Sequence, residues 1–500
     1  FKEADVTISN WYCTVCGYIH RGESPPDSCP VCGVGREHFE PAAEQHAPVQ
    51  GASKQWICMN CDFIHEGSAP PDVCQVCGAG PDQFIPHDVK EPEALAQDME
   101  GSIVIIGGGI AGLSAAESAR KAAPAATVTL VTREREHPYY RLNLTRYLAG
   151  EITGNELPVR PESWYVEHGI EILLGTEVVA IDAANKKLRL RDRPDLRYDK
   201  LILATGAHPF VPAIPGVNRQ NVATLRTRDD ADRILGRCTE GTSCVVVGGG
   251  VLGLETAAAL VLRKGRVTLV EGFDWLLPRQ LNRAASERLM RKARDLGIDL
   301  IFNGRIKEFD GDEQVRSVVL ESGQIIPADL VIVAAGVRCN TYLARMAGLD
   351  VHDGVVVDHH LRTSDPDIYA AGDLAEYQGT AYGTWTPAQF QGTIAGMNAA
   401  GGDAIFAGIP RSNTLKVLGV DMFSIGKVHP DDASYQVFEF NGECYDLFVF
   451  RDTRMVGAIL VGDTTIAPVL KKMIESQASC ADLLAVATDA KGIREGVEMI

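Results

Sequence analysis

The run SIVIIGGGIAG, Ser102–Gly112, decides the architecture. A short apolar strand pattern enters three glycines, the Ala-rich stretch Leu113–Ala122 has helical character, and a second strand pattern follows at Thr127–Val131. A G-x-G-x-x-G match by itself is weak. Strand, glycines, helix and strand in register predict a dinucleotide-binding βαβ unit. The glycines permit a tight turn and let a pyrophosphate approach a helix N-terminus, where the dipole favours negative charge. Gly107, Gly109, Ala111 and Gly112 are the candidate contacts. The pattern returns as SCVVVGGGVLGLE, Ser243–Glu255, with a strand pattern at Arg266–Val270 ending in Glu271. Gly248, Gly250, Gly253, Glu255 and Glu271 are its candidates. Two such units predict two dinucleotides.

Glu271 stands where an acid hydrogen-bonds a ribose 2′-hydroxyl and repels a 2′-phosphate, which favours NADH over NADPH at the second unit. In the first unit the corresponding stretch is Thr132-Arg133-Glu134, with the acid displaced by about two residues. Either Glu134 substitutes for it, or Arg133 faces the adenosine. The second unit also explains the most membrane-like stretch, Ser243–Leu262, which holds Glu255 and four glycines. We therefore expect no membrane insertion. Residues 1–30 hold no continuous apolar segment of the secretory type, which predicts a soluble cytoplasmic protein. The 500 residues are 45% hydrophobic, enough for several cores, and carry a net charge of −18, which disfavours nucleic acid as a partner.

Eight of the thirteen cysteines lie in the first 77 residues. WYCTVCGYIH (Trp11–His20) recurs as WICMNCDFIH (Trp56–His65), and Cys29-Pro-Val-Cys32 recurs as Cys74-Gln-Val-Cys77, at a constant offset of 45. Each copy of this duplicated module places four thiols in two C-x2-C knuckles: Cys13, Cys16, Cys29 and Cys32, then Cys58, Cys61, Cys74 and Cys77. That donor set suits one tetrahedral metal, which supplies folding energy to a domain too small to bury a sufficient core. The close-paired spacing argues against disulfides. The bare spacing fits a zinc ribbon as well as an iron tetrathiolate. Recurring aromatics (Trp11, Tyr18 and Phe39; Trp56, Phe63 and Phe84) and the glycines Gly17, Gly33 and Gly78 after the knuckles favour iron, since N–H groups turned toward sulfur tune a redox site. Each copy resembles the short rubredoxin domain at the end of rubrerythrins, which implies one iron per copy; Asp62 departs from the usual glycine.

Three further segments accompany the nucleotide units: YDKLILATG (Tyr198–Gly206), its counterpart DLVIVAAG (Asp329–Gly336), and TSDPDIYAAGD (Thr363–Asp373). With them the chain resembles the two-dinucleotide-domain flavoprotein reductases of the glutathione-reductase type. The resemblance implies FAD in the first unit and NADH in the second. It puts Asp373 on the flavin ribityl and pyrophosphate region, WTPAQFQG (Trp385–Gly392) beside the isoalloxazine, and PYYRLNLT (Pro138–Thr145) over the cofactor. The flavin contacts it implies are Glu134, Arg141, Thr145, Val178, Ala204, Thr205, Gly206, Gly336, Gly372, Asp373, Trp385 and Gln389.

Disulfide reductases of this group carry cysteine on the helix after the first unit, but Tyr140–Leu148 holds none. Cys238, Cys244, Cys339, Cys444 and Cys480 lie in other segments and mostly read as small buried apolar residues. The branch that remains resembles NADH:rubredoxin reductases and the flavin domains of nitrite reductases. A reductase fused to its own rubredoxins strengthens iron over zinc. The expected activity is transfer of a hydride from NADH to FAD, then of single electrons through two iron sites to an external redox protein such as an oxygenase or a di-iron protein. Ring alignment rather than a side-chain acid or base is required, so no catalytic residue is named. The competing reading is an FAD/NADH reductase whose head is a zinc-ribbon docking module.

The expected fold class is α/β. Residues 1–43 and 55–88 form rubredoxin-like β domains, with tethers at 44–54 and 89–100. The FAD-binding domain takes 101–213 and 335–404, and the NAD-binding domain 214–334. A small α/β domain at 405–500 closes the site or forms a homodimer interface. In that last part Lys416 either reaches the flavin or is an ordinary strand-end lysine, and Asp463 is expected to cap a helix over Thr464–Glu475.

Overall fold

Apolar, β-branched runs without polar alternation need cover on both faces, the condition of a parallel sheet inside an α/β layer. In the computed structural model of the chain such runs form two five-stranded parallel sheets. The structure describes residues 100–409 and 412–499 and, within the head, 10–13, 19–21, 36, 39–42, 55–58, 64–67, 69–72, 74, 81 and 84–86. The first sheet runs Ile368–Ala370, Lys200–Leu203, Ser102–Ile106, Thr127–Val131, Ile170–Leu173. The second runs Val222–Ala223, Leu330–Val333, Ser243–Val247, Arg266–Val270, Ile298–Ile301. Four strands are arranged alike around a central glycine-turn strand, but the outer one differs: Ile368–Ala370 follows the other strands of its sheet in sequence, whereas Val222–Ala223 precedes those of its own. Each sheet carries a three-stranded antiparallel appendage, at Val178–Arg197 and at Ile306–Pro327. A short ribbon pairing Ala207–Pro209 with Val337–Cys339 closes the chain where the second unit is inserted into the first.

Two helices cross the first sheet in close contact. The Ile110–Ala122 helix starts directly after the glycine turn and ends on Arg120 and Lys121, basic residues that complement its dipole. The Trp385–Ala399 helix lies against it. A Cβ on Gly392 would fall 2.2 Å from the Ala111 carbonyl oxygen, and one on Gly396 would fall 2.3 Å from that of Ala115. Only glycine admits this backbone-to-backbone approach.

The C-terminal part is a five-stranded antiparallel sheet in the order Ser412–Val417, Val420–Gly426, Arg454–Val461, Tyr445–Arg451, Tyr435–Asn441. One face packs Phe448, Phe450 and Leu460 against Leu470 and Ile493 of its own helices. The other packs Tyr445, Leu447 and Ile459 with Leu254, Leu281 and Leu289 of the second nucleotide unit. The Tyr445 hydroxyl accepts from Asn282 Nδ2 at 2.6 Å and donates to Glu439 at 3.0 Å, tying the two units together. The helix expected over Thr464–Glu475 starts later, at Ala467, with Ile466 as its N-cap. Asp463 therefore does not cap it: Oδ1 accepts from Thr465 N at 3.0 Å in a preceding turn, and Oδ2 accepts from Arg494. The turn wins because Asp463 finds a nearer N–H two residues on. Among the described residues no helix is long and apolar enough to cross a membrane.

Arg494 also holds Asp446 through two 2.8 Å hydrogen bonds, with Asp446 only 1% exposed. This pair pins the Ala490–Glu498 helix to the sheet. Removing one partner of a buried pair leaves an uncompensated charge and costs about 3–5 kcal/mol. Asp446→Ala is expected to lower the unfolding free energy of the C-terminal sheet by an amount in that range, followed by hydrogen exchange of residues 445–461. A change confined to the noise would show the pair to be dispensable.

Candidate functional site

Each nucleotide unit ends its central strand in a glycine pressed against the neighbouring strand end. A Cβ on Gly107 (φ +125°) would lie 2.1 Å from the Ala204 carbonyl oxygen, and one on Gly248 (φ +111°) would lie 2.5 Å from that of Ala334. The turns thus bring Gly107 together with Ala204, and Gly248 with the strand end before Gly336. Gly109 and Gly250 are the extended N-caps of the Ile110–Ala122 and Val251–Leu262 helices. Nothing lies within 4 Å of a Cβ built on either cap, so there is open space beside each helix start, whose first-turn N–H groups have no partner inside a helix. Gly112 and Gly253 sit in those first turns. This is the shape and donor set a pyrophosphate requires.

The first cradle is completed from far along the chain. Gly372 (φ +78°) sits against Ala111, where a Cβ on it would fall 2.8 Å from that of Ala111. Its N–H donates to Gln391 Oε1 at 2.8 Å. Gln391 is fully buried, and its Nε2 has no hydrogen-bond partner among the described residues. A buried, unspent donor beside an open helix N-terminus fits a polar ligand lying across the cradle. Thr205 and Gly206 are clamped by Asn340, whose Nδ2 donates to Thr205 O at 2.7 Å and whose N donates to Gly206 O at 2.9 Å. Gly336 accepts from Phe210 N at 2.8 Å in the connecting ribbon.

Asp373 accepts from Arg226 Nη2 at 3.0 Å. The Arg226 carbonyl accepts from Arg141 Nη1 at 2.5 Å, and Arg141 Nη2 donates to Glu134 at 2.6 Å. The Tyr139 hydroxyl donates to the other Glu134 oxygen at 2.6 Å. Burial opposes the charge of Arg141, but Tyr139 and Glu134 outweigh it and raise its pKa. Burial, reinforced by Glu134, pushes the Tyr139 phenol well above its usual range. The network therefore brings together Glu134, Arg141 and Asp373, and turns Glu134 onto Arg141, while Arg133 is exposed. Arg226 is the link that sequence reasoning missed. Its signal is the capping pair Thr227–Asp230, which starts the Arg228–Leu235 helix and holds Arg226 N as well.

Other candidates lie around this network without belonging to it. Thr145 is buried on the Leu144–Ala149 helix, and Val178 begins the Val178–Asp182 strand. Trp385 opens the Trp385–Ala399 helix and stacks on Tyr140 at 5.5 Å. Gln389 is half-buried, and it is Gln391, two residues on, that reaches the cradle. Lys416 is on the Ser412–Val417 strand, with its side chain outside the described residues. No cysteine occurs in the Arg141–Ala149 turn and helix. Cys238, Cys244 and Cys480 are buried and Cys339 and Cys444 partly so.

In the second unit Glu271 is 7% exposed and accepts from Gly249 N at 2.6 Å and Phe273 N at 2.9 Å. Its charge is thus fixed at the mouth of the glycine turn. Glu255 faces the other way and accepts from Leu418 N at 3.0 Å, joining the helix to the C-terminal sheet. Burial raises its pKa above the ordinary value of 4.5.

In the head, the two modules share one register: Cys13 pairs with Phe39 as Cys58 pairs with Phe84, and Trp11 with His20 as Trp56 with His65. Cys58 and Cys74 are both fully buried in one cluster with Phe84. Two sulfurs brought together away from water, on different knuckles, fit the tetrathiolate reading. Cys16, Cys29, Cys32, Cys61 and Cys77, and the side chain of Cys13, lie outside the described residues.

Two predictions follow from the second unit's carboxylates. Hydrogen bonds to a charged group exceed neutral ones by about 1–1.5 kcal/mol, so Glu271→Gln should weaken NADH about tenfold and narrow discrimination against NADPH in equilibrium titrations. Unchanged preference would remove Glu271 from the ribose site. Because the folded pKa of Glu255 is raised, its contribution to stability is fully present below pH 4.5 and declines as pH rises through the folded value. Glu255→Gln keeps an acceptor for Leu418 and should flatten that decline in pH-dependent denaturation.

Residues 101–392 match the family described as pyridine nucleotide-disulphide oxidoreductase. Residues 412–478 match the rubredoxin NAD+ reductase C-terminal domain, and 11–40 and 56–85 each match the rubrerythrin, rubredoxin-like domain. The chain is 31% identical over 385 residues to an NAD(P)H nitrite reductase of Bacillus subtilis (strain 168), which covers 76% of this chain and 48% of that protein. It thus spans about half the length of the nitrite reductases it resembles. It is 38% identical over 285 residues to a rubredoxin-NAD(+) reductase of Pseudomonas putida, covering 57% of this chain and 74% of that protein. The crystal structure of NADH:rubredoxin oxidoreductase from Clostridium acetobutylicum superposes with a TM-score of 0.68 at 29% identity, covering 80% of this chain and all of that one. With its two glycine-turn units and the match across 101–392, the chain belongs to the pyridine nucleotide-disulphide oxidoreductase family.

Proposed function

We propose that the chain is an NADH-dependent flavoprotein reductase that delivers electrons to the rubredoxin-like modules of its own head and, through them, to an external redox protein. One observation carries this reading: a reductase body, a rubredoxin-reductase C-terminal domain and two rubredoxin-like modules stand in a single chain. The absence of cysteine from the Arg141–Ala149 segment supports an acceptor other than a disulfide.

The chain's own residues bind and orient. The N–H groups behind Gly109 and Gly112 would hold the pyrophosphate of FAD, with Asp373, Gly372 and Gln391 on its ribityl side and Arg141 and Arg226 setting the local charge. Gly250 and Gly253 would hold the pyrophosphate of NADH, and Glu271 its ribose hydroxyls. Bound FAD supplies the junction between two-electron and one-electron chemistry, and iron held by four thiolates supplies a one-electron carrier. No side chain at the site is required to move a proton between the rings. The protein's contribution is alignment and exclusion of water, the second aided by the C-terminal sheet held at Glu255 and Leu418. The two modules match two one-electron carriers to one two-electron donor. The external acceptor we favour is an oxygenase or another di-iron protein.

Anaerobic NADH titration of the purified chain, followed by visible absorption with iron and zinc counted on the same sample, tests the proposal. The expected result is joint bleaching of flavin and iron–thiolate bands at about two irons per flavin, one per four-thiol module. Bleaching of flavin alone, with zinc in the head, would overturn it and leave the head as a docking module.

A further inference from the structure

We infer that the second module, residues 55–86, is the one seated against the reductase body, at the Tyr140–Trp385 pair, and that it receives electrons before the first. The inference rests on the proposed function and adds the order and the place of transfer.

Cys58, Cys74 and Phe84 form a buried cluster, and among the described residues Trp56 of the same module and Tyr140 of the body pack against it. Tyr140 is held in place. Its N–H donates to Leu157 O at 2.9 Å, its carbonyl accepts from Asn143 N at 2.9 Å, and its ring stacks on Trp385 at 5.5 Å and 24°. Trp385 opens the helix that carries Gln391 to Gly372 and Gly392 to Ala111. Packed groups thus run from the thiol cluster through Tyr140 to Trp385, on the helix that carries Gln391 and Gly392 to the first nucleotide cradle. Tyr and Trp provide broad contact area with few rotatable bonds, so such a dock orders little that was free.

Chain connectivity favours the same module. Residues 87–99 separate Pro86 from the body, and 13 residues span at most roughly 45 Å. A connection this short keeps the module at an effective concentration on the order of millimolar, so a weak dock suffices. Electron transfer falls steeply with separation, so the module packed against Tyr140 of the body is placed to be reduced first. The balance is NADH going to NAD+, one proton and two electrons, with one electron reducing each of two ferric sites. The second module accepts and passes on its electron to the first, which faces the external partner.

The decisive experiment places photoreactive p-benzoylphenylalanine at position 140 of the full-length holoprotein and maps the cross-linked peptides. The expected product joins the Tyr140 peptide to residues 55–86; a product with 10–42, or no intramolecular product, overturns the inference. Stopped-flow mixing with NADH supplies the order. Tyr140→Ala and Cys58→Ser should each slow bleaching of the thiolate band at least about tenfold, whereas Cys13→Ser should keep a fast phase of about half amplitude, one of two carriers remaining. Equal slowing in Cys13→Ser and Cys58→Ser would refute the order. If the unaltered chain bleaches only its flavin, the proposed function fails instead, and the cross-link still decides the docking.

Discussion

The α-carbons of Gly392 and Gly396 lie against the carbonyl oxygens of Ala111 and Ala115, and the first nucleotide site depends on that contact. The Ile110–Ala122 helix supplies the N-terminus of the cradle. The residues that complete it, Gly372, Asp373 and Gln391, arrive only after the whole second unit has been threaded through. Side chains at Gly392 or Gly396 would hold the helices apart by their own thickness. Gln391 would then leave Gly372, and the cradle would lose the wall facing the helix N-terminus. A close-packed interior does not absorb such displacements gradually.

The charged residues follow from the same closure. Arg226 joins Asp373 to the Arg141–Glu134–Tyr139 group across segments that are distant in sequence. Half-buried ions of this kind are tolerated because each has a partner of opposite sign or a hydrogen-bonding dipole. The second unit repeats the arrangement of four of the five strands of the first but uses its acids differently. Glu271 turns onto the glycine loop, whereas Glu134 turns onto an arginine. Two copies of one supersecondary unit thus offer different charge to their ligands. The C-terminal sheet is the third element of the arrangement. It packs on the second unit through Tyr445, Leu447 and Ile459 and meets Glu255 at Leu418, so the outer domain and the nucleotide helix are one mechanical piece.

Much of this was legible in the chain because it rests on local rules. A buried strand feeding G-x-G-x-x-G reads directly as a turn and a helix N-terminus, since glycine alone satisfies the turn's close approach to the next strand. The head was legible by repetition: the constant spacing of Trp11, Cys13 and His20 with Trp56, Cys58 and His65 returns as one shared strand register. Asp463 was misjudged for the converse reason. A short acidic side chain near a helix has two competing N–H partners, and the adjacent turn took it. Gln391 escaped notice beside Gln389 because helical phase near an N-terminus depends on where the helix begins. Arg226 escaped because the Thr227–Asp230 capping pair marks a helix start but does not by itself distinguish a half-buried bridging arginine from an exposed one.

By itself, then, the sequence determined the two nucleotide units, their glycine turns, the acid at Glu271 and the duplicated four-thiol head, all set by residue type and spacing over a few turns of chain. Tertiary structure decided which distant residues meet: Asp373 with Arg226, Gln391 with Gly372, Glu255 with Leu418, and Tyr140 with the cluster of Cys58 and Cys74. The physical reason is range. Backbone sterics and knuckle spacing act between neighbours, whereas ion pairing and packing act between surfaces that exist only after the helices and sheets have closed on one another.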